Sequence, residues 1–267
     1  MADLNKLKTI LKDMKNVAVA FSGGVDSTFL LAVAGQLSEI ELMAITADSV
    51  GFPKKEVLEA ESFCKSLGVR HEVFTANELE IKEYRENHTK RCYYCKKALF
   101  GKMIDIAKAN GIKYIVDGSN TDDALDYRPG MAALEEMGIR SPLREAGFSK
   151  ADIRSHSREM GLPTWDKPSF ACLATRFPYG EEITEKKLQM VGEAEDHLRN
   201  HGFKQCRVRM HGSIARIEVP EGDIDLLFEK RKQIAVELKR LGFSFVSADL
   251  EGYRSGSMNC VVSGENP

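Results

Sequence analysis

Two groups of residues in this chain have types and spacing that could do chemistry: the run Ser22-Gly23-Gly24-Val25-Asp26-Ser27, and the cysteines Cys92, Cys95 and Cys172. The run lies between a short apolar stretch, Val17 to Phe21, and a segment from Val25 to Leu37 whose apolar residues recur at helical spacing. A turn from a buried strand into a helix gathers unbonded backbone N–H groups and the positive end of the helix dipole, and so attracts an anion. Two glycines let a phosphate come close to the backbone. No Gly-Lys-Ser/Thr follows, so the lysine of the Walker loop is missing, and a dinucleotide fingerprint is missing too. The plain alternative is a tight turn in which Asp26 and Ser27 only cap the helix.

The string Ser-Gly-Gly-Xaa-Asp-Ser resembles the PP-loop of ATP pyrophosphatases. That resemblance implies that Ser22, Gly23, Gly24, Val25, Asp26 and Ser27 hold the pyrophosphate end of ATP, with its α-phosphorus open to a nucleophile. Asp26 then helps to hold Mg²⁺. The stretch Asp117 to Asp123 follows a later strand, at the sheet edge where such folds bind ligands. Asp122 or Asp123 is either a second metal ligand or a helix cap.

Arg91-Cys92-Tyr93-Tyr94-Cys95-Lys96 sets two thiols at metal-ligand spacing beside cations that favour thiolate. Zinc would need further ligands, for which His88 and Cys172 are available; a redox pair fits less well. Cys172 lies in a Pro- and Gly-containing loop from Lys167 to Gly180 flanked by basic residues. Cys64 and Cys206 fall in periodic segments and read as core, as free cysteines often are. Cys260 carries no signal.

The elements that position these residues alternate. Helical spacing at Leu4, Leu7, Ile10 and Leu11 precedes the strand at 17–21. Helices then follow at 25–37, 54–67 and 96–110, with strands at 40–46, 71–75 and 113–117, and an irregular stretch holds Cys92 and Cys95. The alternation implies an α/β fold with a doubly wound parallel sheet. Short helices are expected at 129–137 and 149–160. Beyond Gly180 a helix at 184–200, strands at 206–210 and 214–219, a helix at 223–241 and a strand at 245–248 make a smaller α+β unit. The expected domains are therefore 1–180 and 181–267. The 267 residues suit two domains at about 150 residues each. With 38 Lys and Arg against 40 Asp and Glu, nothing draws the whole chain to nucleic acid or membrane. There is no secretory pattern at the N-terminus and no run of membrane-spanning length, so a cytoplasmic location with reduced thiols is expected.

The PP-loop, Arg91 to Cys95, Asp117 to Pro129, Ser141 to Gly147, the Cys172 loop and Gly252 to Ser257 together resemble the LarE family over nearly the whole chain. Its members insert sulfur during synthesis of the nickel-pincer nucleotide cofactor of lactate racemase. The resemblance implies an adenine nucleotide alpha hydrolase-like PP-loop domain and a substrate of pyridinium-3,5-biscarboxylic acid mononucleotide, whose carboxylates become thiocarboxylates. In some members a lone cysteine at the place of Cys172 gives up its own sulfur. In others three cysteines hold a 4Fe–4S cluster that carries an extra sulfide. Cys92, Cys95 and Cys172 match the second pattern, with the sulfide donor unidentified; three thiolates leave one iron open. The same resemblance makes Arg207, Arg209 and Arg254 candidates for the substrate phosphate, Glu218 a weaker metal or substrate candidate, and a homo-oligomer, a hexamer, the expected assembly. Arg216 reads equally as a solvated strand residue. A tRNA thiolase could combine a PP-loop with such cysteines but should carry a basic surface, and an amide-forming ligase would need no cysteines.

Overall fold

The structure is a computed structural model describing residues 2–125, 129–168, 170–254 and 256–258. Of the sequence-derived segments, 126–128, Ser169, Ser255 and Cys260 lie outside the described residues.

The first elements are α1 (Leu4–Met14), β1 (Asn16–Ala20), α2 (Val25–Gly35), β2 (Glu41–Ser49), α3 (Lys54–Leu67) and β3 (Arg70–Ala76). They are followed by α4 (Lys82–Arg85), α5 (Arg91–Ala109), β4 (Tyr114–Val116), α6 (Pro129–Glu136), α7 (Pro142–Glu145) and α8 (Lys150–Glu159). The four strands pair in parallel in the order β3-β2-β1-β4. Alternate residues of β1 serve opposite faces. Val17 and Val19 pack with Leu7 of α1, Leu30 of α2, Ala60 of α3 and Ile153 of α8, whereas Ala18 joins Phe100 and Met103 of α5 and Leu134 of α6. Both faces are thus covered by helices, which is why β1 and the middle of β2 read as apolar runs and not as alternation, whereas edge strand β3 is more polar. The sheet is the doubly wound α/β sheet that the sequence implies. Chain order reverses between β1 and β4, and a crevice opens outside the carboxyl ends of strands at such a point.

The later elements are α9 (Glu185–Asn200), β5 (Arg207–His211), β6 (Ile214–Glu218), α10 (Ile224–Leu241) and β7 (Phe245–Ala248). β6 pairs antiparallel with β5 and parallel with β7. The chain divides into two compact units, 1–77 with 92–170 and 78–91 with 171–267. The sequence reading divides it instead at 180. Segment 78–91 belongs with the later unit because Ile183 N–H donates to Arg85 O (2.8 Å), Gly180 N–H to Asn87 O (3.1 Å), and the Asn87 amide to Pro178 O (2.6 Å). Such pairings across ninety residues leave no periodicity to read. A second difference is the start of α5: the chain is helical from Arg91, whose N–H bonds to His88 O, so Cys92 and Cys95 sit in its first turns and not in an irregular stretch.

The later unit encloses an ion pair. Arg176 and Glu195 have side chains with no solvent exposure, joined by Nε to Oε1 at 2.6 Å and Nη2 to Oε2 at 3.1 Å. Glu195 also accepts from Val208 N–H (3.1 Å) and Arg199 (3.2 Å). Burial alone would raise the Glu195 pKa, but the Arg176 guanidinium outweighs it and holds the carboxyl below its ordinary value. Removing one partner of such a pair strands the other charge, so Arg176→Met should cost about 3–5 kcal/mol. The check is the urea midpoint of unfolding, and an unchanged midpoint would contradict the account.

Candidate active site

The turn after β1 is built for an anion. Gly24 caps α2, and Gly23 adopts φ +69°, a left-handed conformation that side chains disfavour. The Ser22 and Ser27 hydroxyls lie 3.1 Å apart, and Ser27 Oγ accepts from Ser22 N–H (3.3 Å) and donates to Gly24 O (3.2 Å). The loop is therefore closed on itself by hydroxyls. Among the described residues the N–H groups of Gly23, Val25, Asp26 and Ser27 take no hydrogen-bond acceptor, which leaves them for a ligand. Gly118, just past β4, presses against this helix start: a Cβ there would lie 2.9 Å from Ser27 N and 3.3 Å from Asp26 Cβ. On the other side Lys167 Nζ donates to Gly23 O (3.2 Å) while paired with Glu56 (2.7 Å) and Glu59 (2.8 Å) of α3.

Asp26, in the first turn of α2, meets the Lys150 ammonium, and its other oxygen accepts from the Asn120 amide at 3.4 Å. Burial raises its pKa, with Lys150 opposing that shift. Asp26 is the carboxylate beside these loop amides that would hold a magnesium ion. Asp122 Oδ2 accepts from Lys150 N–H at the start of α8 (2.9 Å), and Asp123 Oδ2 from Asn120 N–H (2.9 Å), which is capping geometry for both. Asp117, at the end of β4, is buried and takes hydroxyls from Ser119 and Ser141.

Cys92 and Cys95 lie three residues apart in α5, Cys92 exposed and Cys95 half-buried, so they share a helix face. Cys172 belongs to the later unit, where it lies 3.4 Å from the hydroxyl of buried Tyr84. Among the described residues no three His, Cys, Asp or Glu side chains are gathered to hold a metal ion. Cys64 and Cys206 are buried, and burial pushes both thiols up to about 12.

The later unit buries Arg207 and Arg209 on β5. Arg207 lies over the Tyr253 ring at 5.2 Å. Arg209 binds Glu218 through Nε (2.9 Å) and Nη2 (2.7 Å), Thr175 O (3.0 Å) and the Ser257 hydroxyl (3.1 Å). Glu218, fully buried, is also met by Arg216 (3.0 Å) and Ser257 (3.0 Å), so its neighbours are guanidinium and hydroxyl groups. Arg254 is exposed and pairs with Glu251.

Comparison with known proteins bears on this arrangement. The model of the family described as asparagine synthase matches residues 7–107. An uncharacterised protein of Synechocystis is 41% identical over 262 residues, 97% of this chain and 98% of its own length. A pyridinium-3,5-bisthiocarboxylic acid mononucleotide synthase of Lactiplantibacillus plantarum is 40% identical over 258 residues, 96% of this chain and 94% of its own. The chain belongs to the LarE family. An argininosuccinate synthase of Natronomonas pharaonis is 28% identical over 165 residues, 57% of this chain and 41% of its own. The likeness that extends past LarE thus covers only part of the chain, and the earlier unit is the ATP-using PP-loop domain.

Sequence reasoning located the loop of this LarE-family chain and set the stretch Asp117 to Asp123 at the ligand edge of the sheet, but gave Gly118 and Asn120 no individual part there and did not connect Lys150 or Lys167 with the loop, which they reach only through the fold. Gly118 carried a signal, following an apolar strand directly. Gly118→Ala should weaken ATP binding in an equilibrium titration while circular dichroism stays unchanged; equal affinity would contradict the close approach. Iodoacetamide at mildly alkaline pH should label Cys92 in the folded chain and spare Cys64 and Cys206 until denaturant is added. Native labelling at either buried thiol would count against the burial described.

Proposed function

We propose that this chain is an ATP-dependent sulfur transferase that converts the carboxylates of pyridinium-3,5-biscarboxylic acid mononucleotide to thiocarboxylates, for the nickel-pincer nucleotide cofactor of lactate racemase. What carries the reading is the full-length likeness to a named pyridinium-3,5-bisthiocarboxylic acid mononucleotide synthase, together with a PP-loop in which, among the described residues, the N–H groups of Gly23, Val25, Asp26 and Ser27 take no acceptor. A carboxylate oxygen is a poor leaving group. A substrate carboxylate attacks the α-phosphorus of ATP, a P–O bond forms, the bond to the bridging oxygen breaks, and pyrophosphate departs. Ser22, Ser27 and the N–H groups of Gly23, Val25, Asp26 and Ser27 offset the charge that develops on pyrophosphate. Asp26 is the residue that would hold Mg²⁺, whose charge screens the phosphates; Asp122 is a further ligand only by leaving the start of α8. A sulfur nucleophile then adds to the acyl-adenylate carbon and AMP is expelled.

Cys92, Cys95 and Cys172 would hold a 4Fe–4S cluster, which would supply the sulfide. Their donor chemistry fits: all three are cysteine sulfurs, and the first two share one helix face. Arg207, Arg209 and the exposed Arg254 are the proposed phosphate-binding residues, with Arg209 yielding its Ser257 contact, and Glu218 orients the guanidinium groups. The proposal includes a cytoplasmic homo-oligomer, a hexamer by family likeness, acting on a small molecule and not on nucleic acid. Among the described residues no helix is long and apolar enough to cross a membrane. The cross-strand pair Ile214 and Phe245 is exposed, which supports association between copies.

Asp26→Ala should lower AMP and pyrophosphate release by about 10²–10³-fold, the size of losing one preorganised charge partner, with the fold retained. Undiminished AMP release would remove Asp26 from its role. Intact-mass measurement after turnover reads the sulfur source: an unchanged chain is expected, and loss of one hydrogen sulfide from Cys172 would establish the sacrificial route in place of the cluster.

A further inference from the structure

The Cys172 sulfur is met by a fixed hydroxyl. Tyr84 on α4 is 2% exposed, and its phenol oxygen lies 3.4 Å from Cys172 Sγ. A buried phenol needs a hydrogen-bond partner, and a cysteine sulfur can serve as one. Both ends of this contact are pinned within the later unit. On the Tyr84 side, the Asn87 amide donates to Phe177 O (3.2 Å) and Pro178 O (2.6 Å), Gly180 N–H donates to Asn87 O (3.1 Å), and Arg91 lies over the Tyr179 ring at 4.5 Å. On the Cys172 side, the Thr175 N–H (3.0 Å) and hydroxyl (2.9 Å) both donate to Cys172 O, and fully buried Arg176 donates to Ala171 O (3.2 Å). Neither α4 nor the cysteine loop can drift without breaking several of these bonds, so the hydroxyl stays on this sulfur.

The direction of the bond follows from the chemistry. Between a thiol and a phenol either group could donate. Sulfur that ligates a metal or attacks a carbon does so as thiolate, which has no proton to give, and then only the phenol can be the donor. An O–H···S bond draws charge off the sulfur and fixes the directions left to its other lone pairs. We propose that Tyr84 is a positioning residue for the sulfur step, donating to the Cys172 sulfur so that this sulfur is held in one orientation and made less electron-rich. The proposal deepens the sulfur-transfer reading given above and rests on it. Where Cys172 ligates a cluster, such a bond stabilises the more negative, reduced state and raises the reduction potential. Where Cys172 gives up its own sulfur, the same bond aims that sulfur at the acyl-adenylate carbon.

The test uses the full chain and two replacements, with circular dichroism as the folding control. Tyr84→Phe keeps the buried ring and removes only the hydroxyl; Tyr84→3-fluorotyrosine, placed at this position alone, keeps the hydroxyl and makes it a stronger donor. Each protein is reconstituted anaerobically with iron and sulfide, and its midpoint potential is read by redox titration followed by electron paramagnetic resonance. Tyr84→Phe should have a lower potential than the wild type and the fluorinated chain a higher one; if Tyr84→Phe fails the folding control, the fluorinated chain decides. Single-turnover formation of thiocarboxylate should also slow about tenfold in Tyr84→Phe, the upper worth of one neutral hydrogen bond. Equal potentials overturn the proposal and leave the sulfur-transferase reading in place. If the wild-type chain takes up no cluster, the cluster part of that reading fails and the readout becomes the rate at which Cys172 loses the mass of hydrogen sulfide: the same slowing in Tyr84→Phe supports the positioning role, and an equal rate overturns it. A wild-type chain that forms no thiocarboxylate by either route overturns the sulfur-transfer reading and this proposal with it.

Discussion

The structure turns on a close approach of two backbones. Gly118 past β4 sits so near the first turn of α2 that even a methyl group there would meet Ser27 N at 2.9 Å. That approach holds the helix start at the reversal point of the parallel sheet, with four N–H groups that take no acceptor among the described residues. Leaving such donors unpaired costs free energy unless a ligand or water completes them. The buried strands, with helices on both faces, make the site rigid enough to sustain that cost. The apolar packing of Val17 and Val19 on one face and Ala18 on the other is thus the support for a polar, anion-seeking turn.

Charge is handled differently in the later unit. There the arginines are buried and already matched with carboxylates, Arg176 with Glu195 and Arg209 with Glu218. Guanidinium groups fixed in this way would lose little further freedom on meeting a phosphate, the role proposed for Arg207 and Arg209. The same matching explains why the near-neutral charge of the whole chain hides a locally cationic interior. Under the proposed phosphate role, Arg209 would exchange its Ser257 contact for the anion, because its other bonds among the described residues go to Glu218 and a backbone carbonyl.

Much of this was legible beforehand, and the parts that were not share a cause. Strands β1 to β4 and helices α2, α3, α9 and α10 announce themselves through apolar period, and Ser22 to Ser27 through residue type between strand and helix. The core placement of Cys64 and Cys206 followed from the same periodicity. The start of α5 did not, since Arg91 to Lys96 has no apolar face and the turn from His88 that initiates it is a backbone bond. The attachment of segment 78–91 to the later unit escaped for the same reason, resting on Asn87 and Arg85 bonding to residues near 180. Arg216 on β6 read equally as a solvated strand residue until the fold set its guanidinium on buried Glu218. Lys150 and Asn120 have ordinary surface types, and only the juxtaposition of α8 with α2 gives them Asp26 as partner. Period and turn chemistry reveal what is local; partners brought from a hundred residues away are visible only in three dimensions.

The central claim is that the turn at Ser22 serves pyrophosphate departure and not transfer of the terminal phosphate. Exchange of radiolabelled pyrophosphate into ATP tests it most directly. The account predicts exchange that requires Mg²⁺ and the pyridinium dicarboxylate, with no ADP formed. Formation of ADP, or exchange independent of any carboxylate, would contradict it.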